Sequence, residues 1–63
     1  MKKIRKRLGM TQQYLAAGTG IPVRTIQKYE SGQYSIKNMT VGKAVLIAKA
    51  LNVSVEQLLE ENS

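Results

Sequence analysis

TQQYLAAGTGIPVRTIQKYESG, residues 11–32, holds two short helical patterns on either side of a glycine-marked turn. Thr11 can cap the first helix, which the pattern predicts over about Thr11 to Ala17, and Leu15 and Ala16 give it an apolar side. Gly18 and Gly20 supply the backbone freedom of a tight turn. Pro22 then opens a second helix where its missing N–H costs nothing, and that helix is expected to reach Glu30, with Gly32 as its breaker. Ile26 and Tyr29, three apart, can face inward, which leaves Val23, Arg24, Gln27 and Lys28 on other faces, free to touch a partner. The spacing suits a helix-turn-helix.

Helical patterns continue on both sides of this unit. Met1, Ile4 and Leu8 form an apolar edge over residues 1–8, with Lys2, Lys3, Lys6 and Arg7 outward, and Gly9 ends that helix. Gln33 to Lys37 reads as a loop. Asn38 can cap a fourth helix whose buried side is Val41, Ala44, Ile47, Ala48 and Leu51, with Gly42 marking a late start and Asn52 the stop. Ser54 followed by Gln57 fits a capping box for a fifth helix, and Val53 can staple against Leu58. Val55, Leu58 and Leu59 then close the core, and Glu60 to Ser63 are expected to fray. The expectation is one all-α, compact five-helix domain over residues 1–63, without repeat or linker.

At 63 residues burial is marginal, which leaves little room for an enclosed catalytic pocket beside a core. The chain has no cysteine and no histidine, and its four carboxylates, Glu30, Glu56, Glu60 and Glu61, form no pair in a cleft. No enzyme, no metal site and no cofactor is therefore expected. The near-apolar run Ala44 to Leu51 is interrupted by Lys49 and too short for a bilayer, and no apolar signal region follows the basic start, so a cytoplasmic protein without membrane association is expected.

The formal charge of +6 is unevenly placed. Residues 1–32 hold seven basic groups, Lys2, Lys3, Arg5, Lys6, Arg7, Arg24 and Lys28, against Glu30 alone. In residues 33–63, Lys37, Lys43 and Lys49 are balanced by Glu56, Glu60 and Glu61. The whole excess thus lies on the half that carries the two-helix unit, the electrostatic footprint of a nucleic-acid binder. Taken alone, KKIRKR favours a solvated helix face or a solubility device; its coincidence with the helix-turn-helix pattern reverses that preference.

The ordered set Gln12, Leu15, Ala16, Gly20, Ile21, Ile26, Glu30 and Gly32, then Ala48, Leu51, Val53, Leu58 and Leu59, resembles the Cro/phage-repressor helix-turn-helix family, the XRE type, over nearly the whole chain. The resemblance implies a repressor-like DNA-binding domain in which the second and third helices read DNA, usually from a symmetric dimer. It implies an internal ion pair between Arg5 and Glu30, and a phosphate bond from Gln12 aided by its helix N-terminus, with Gln13 assisting. It maps base reading onto Val23, Arg24 and Lys28, with Gln27 a further candidate. Arg24 can bond guanine O6 and N7 bidentately, Lys28 can reach the same edge or a phosphate, Gln27 suits adenine, and Val23 a thymine methyl. Pro22 departs from the hydroxyl residue frequent there in the family, which removes one phosphate contact. The loop after the third helix is longer than the commonest family form, and Ser31, Tyr34, Lys37 and Asn38 are backbone-contact candidates in it; a solvated turn explains each equally well. Tyr14 and Tyr29 are read as packing residues rather than stacking platforms.

These readings imply a transcriptional regulator, a repressor, that places its third helix in the major groove of an inverted-repeat operator as a homodimer. Val55, Leu58, Leu59 and the loop after the third helix are dimer-surface candidates that can equally be core. Two other functions compete: a DNA-binding antitoxin-like component that also holds a protein partner, and a basic module that binds nucleic acid or anionic membrane through charge alone.

Overall fold

The computed structural model describes residues 1–61 and contains five α-helices: α1 Lys2–Arg7, α2 Gln12–Thr19, α3 Val23–Glu30, α4 Val41–Leu51 and α5 Val55–Glu61. Among the described residues there is no strand. The side chains of Met1, Leu15, Ile26, Ile47, Leu51 and Leu58 are fully buried and draw one core from the residue before α1 and from α2, α3, α4 and α5, with Ile4 of α1 packed against it. Helix α2 packs on α3 and α4, and α4 on α5, so α3 is held from behind and keeps its other side toward solvent.

Local chemistry accounts for the helix ends. Thr11 accepts a hydrogen bond from the Tyr14 amide at 3.0 Å and starts α2. Helix α2 runs two residues past the expected Ala17. Gly18 is helical rather than part of the turn, because the buried Thr19 hydroxyl donates to the Leu15 carbonyl at 2.8 Å and accepts from the Ile21 amide at 3.2 Å. The reversal falls on Gly20 alone, at φ 75° in the left-handed region. Pro22 is the cap of α3 rather than its first helical residue: its φ of −56° suits the ring, its ψ of 141° is extended, and its carbonyl accepts from Thr25 and Ile26.

The loop after α3 differs most from expectation. Ile36 and Met39 are buried in the core, and pulling them in winds Ile36–Asn38 into a 3-10 turn. Asn38 therefore caps nothing. Thr40 caps α4 instead, accepting from the Lys43 amide at 3.3 Å, so α4 starts at Val41 with Gly42 in its first turn. Val41 was expected on the buried side; it begins the helix beyond the body of the domain and is 79 % exposed. Leu8, past the end of α1, is likewise half-exposed rather than inward.

Asn52, at φ 57° and ψ 43°, ends α4 in the left-handed conformation that a short polar side chain tolerates. Ser54 and Gln57 exchange two hydrogen bonds of 2.9 and 3.0 Å across the start of α5, a reciprocal capping box. Leu58 is buried, with Val53, Val55 and Leu59 partly buried against the same core. Glu60 and Glu61 continue α5 rather than fray; the fraying expected of Asn62 and Ser63 lies outside the described residues.

Candidate nucleic-acid interface

Helix α3 is strongly amphipathic. Ile26 and Tyr29 are buried, Val23, Thr25 and Lys28 are half-buried, and Arg24 and Gln27 are exposed. Arg24, Gln27, Lys28 and Ser31 line one shallow hollow of about 260 Å³ together with Gln33. Three of the four base-reading candidates therefore share a surface; Val23 lies outside it, at the start of the helix.

Behind this surface, Arg5 and Glu30 are joined by two parallel hydrogen bonds, Nε to Oε2 at 2.8 Å and Nη2 to Oε1 at 2.9 Å, with side-chain exposures of 8 % and 3 %. The remaining prong of the fork, Arg5 Nη1, donates to the Met10 carbonyl at 2.6 Å. The same residue pins the connection from α1 to α2. Burial pushes the Glu30 carboxyl up, yet hydrogen bonds from Arg5 and Gln12 and the attraction of the guanidinium outweigh it and hold the carboxyl below its ordinary value. Glu30's hydrogen bonds raise Arg5 in turn, against the effect of its burial.

Gln12 is drawn into this network, which sequence reasoning missed. Its Nε2 donates to Glu30 Oε1 at 2.9 Å, and its Oε1 accepts from Gln27 Nε2 at 3.4 Å. An amide has a second N–H, so one donor stays available to a phosphate while the side chain is braced. No local pattern announces such a link. It needs the first turn of α2 beside the outer face of α3.

The loop adds a second unheralded arrangement. Tyr34 folds back on α3: its amide donates to the Lys28 carbonyl at 3.1 Å, and its ring meets the buried Tyr29 edge-on, with centroids 5.4 Å apart at 73°. Lys28 Nζ lies 5.2 Å from the Tyr34 ring centroid and donates to its hydroxyl at 3.3 Å. Tyr34 and Lys37 line a neighbouring groove of about 370 Å³ that meets the first hollow at Ser31. Ser31 Oγ itself donates to the Lys28 carbonyl at 3.1 Å. Gln13 and Asn38 are exposed outside both hollows, and Tyr14, expected to pack, is 67 % exposed.

Among the described residues no three His, Cys, Asp or Glu side chains are grouped to hold a metal ion, and no helix is long and apolar enough to cross a membrane. A family model described as Helix-turn-helix matches residues 1–58. No curated protein and no solved structure matches the chain.

Proposed function

The chain belongs to the helix-turn-helix family of the Cro/phage-repressor type, a DNA-binding family of the transcription-regulator kind, and from that premise we propose that it is a sequence-specific repressor acting on an inverted-repeat operator. The observation that carries the reading is the hollow on α3, where Arg24, Gln27 and Lys28 stand together on the side away from the core. Arg24 supplies a planar fork for guanine O6 and N7, Gln27 a donor and an acceptor for adenine, and Lys28 a cation for a base edge, with Val23 against a thymine methyl. Gln12, Gln13, Ser31, Lys37 and Asn38 are assigned to the sugar-phosphate backbone, where contacts set register rather than sequence.

Dimerisation is part of the proposal, and the size of the domain supports it. The molecule measures 22 × 21 × 20 Å, whereas successive major grooves on one face of DNA are about 34 Å apart. One copy reaches one half-site, and two copies read an inverted repeat. A dimer seated on a promoter in the cytoplasm blocks transcription by occupying it.

Selection of bound duplexes from a random pool, followed by titration of the winner and a scrambled duplex over a range of salt, tests this reading. An inverted repeat preferred by at least about 10³-fold supports it. Equal binding to every duplex with a steep salt dependence leaves only counterion release, the charge-alone function, and overturns it.

A further inference from the structure

The proposed function leaves one arrangement unexplained: the ordered stack of Tyr29, Tyr34 and Lys28 at the end of α3. A lysine on an exposed helix face normally samples many rotamers and pairs with whichever acceptor comes near, most often a phosphate. Lys28 instead has its acceptor within the chain. Its ammonium faces the Tyr34 ring at 5.2 Å and bonds the hydroxyl at 3.3 Å. Tyr34 is itself fixed twice, through its backbone amide on the Lys28 carbonyl at 3.1 Å and through its ring edge on the buried Tyr29. The loop therefore closes back on the very residue it holds.

Resting on the reading of α3 as the base-reading helix, we propose that Tyr34 is a positioning residue: it fixes the Lys28 ammonium over the α3 hollow and, through Lys28, sets the base preference at one step of the half-site, rather than gripping a phosphate itself. A fixed cation rewards an acceptor-rich base edge, such as guanine N7 and O6, at one place along the groove. A mobile cation rewards none. Lys28 spends one N–H on the Tyr34 hydroxyl and keeps two for the base edge.

The test is a double-mutant cycle on the full chain with Tyr34→Leu, Lys28→Met and the pair, titrated against the selected duplex and against duplexes changed at each base step. Tyr34→Leu lowers discrimination at the step read by Lys28 by about 2- to 5-fold, the scale of an exposed cation–ring contact, and leaves the other steps unchanged. In the Lys28→Met background it lowers discrimination no further. Tyr34→Phe keeps the ring against Tyr29 but loses the hydroxyl that Lys28 bonds, so it lowers discrimination at the same step by a smaller factor, and it serves if the leucine variant melts early. A Tyr34→Leu effect that is equal on all duplexes and adds fully to that of Lys28→Met makes Tyr34 a direct phosphate contact and overturns the inference alone. A wild-type chain that discriminates no duplex from another overturns the base-reading proposal, and the inference with it.

Discussion

Arg5 and Glu30, 25 residues apart, close a two-pronged ion pair that ties α1 to the last residue of α3. Neither side chain is open to solvent, at 8 % and 3 % exposure, so the pair governs where α3 stands rather than what it touches. Its reach extends through Gln12, which is bonded to Glu30 on one side and to Gln27 on the other. A carboxylate behind the helix thereby orients amides at its front.

Removing one partner of this pair is expected to unfold much of the population at physiological temperature. An uncompensated buried charge costs about 3–5 kcal/mol, while a domain of this length has about 3–9 kcal/mol of stability in total. Glu30→Ala is therefore expected to lower the melting temperature by at least about 12 °C. Thermal denaturation followed by circular dichroism measures it; an unchanged melting temperature contradicts the role given to the pair.

Acid should dismantle the same pair. Glu30 is held below its ordinary value of 4.5, so the unfolded chain takes up a proton there before the folded one does. The contribution of Glu30 is fully present above that value and is lost as the pH falls from it through the lower folded value. Compared with Glu30→Gln, the wild-type chain is expected to have a stability advantage that is constant near neutrality and shrinks progressively below pH 4.5. Urea melts of both proteins across the acid range give the difference directly, with the other carboxyls common to both. A difference that stays level until acid unfolding would exclude the charge of Glu30 as its source.

Legibility in the sequence followed the range of the interactions. The five helices were readable because three-and-four spacing and a cap three residues away are local, as with Ser54 and Gln57. The choice of Thr40 over Asn38 as a cap was not, since it depends on burying Ile36 and Met39 from a loop whose own pattern is polar. Pairing Arg5 with Glu30 came from family resemblance, not from spacing. The links from Gln12 to Glu30 and Gln27, and from Lys28 to Tyr34, join elements that only the tertiary fold brings together. A basic and amide-rich α3 could be seen in the sequence, whereas the order imposed on its side chains could not.

Arg24 should act differently from the cations of α1. It lies exposed in the α3 hollow, and a bidentate bond to guanine is worth about 1–3 kcal/mol of discrimination. Arg24→Ala is expected to relax preference at a guanine in each half-site by that amount. Lys6→Ala, on an exposed position of α1, should at most weaken all duplexes alike and reduce the salt slope. Competition titrations with single-base variants separate the two. Uniform weakening by Arg24→Ala would move this arginine to the backbone.

The two glycines of the α2 to α3 region should respond in opposite directions to the same substitution. Gly18 is helical, and a Cβ there would meet nothing within 4 Å, so Gly18→Ala removes backbone freedom from the unfolded chain without a clash. It is expected to stabilise by about 0.5–1 kcal/mol. Gly20 has equally open space, yet its φ of 75° is one that an L side chain resists. Gly20→Ala should therefore destabilise by about 1–2 kcal/mol. Because open space is common to both sites, the contrast isolates backbone conformation as the cause. Two melts decide it: stabilisation by Gly20→Ala would mean that the turn relaxes out of the left-handed region, and destabilisation by Gly18→Ala would place the turn, rather than the helix, at that position.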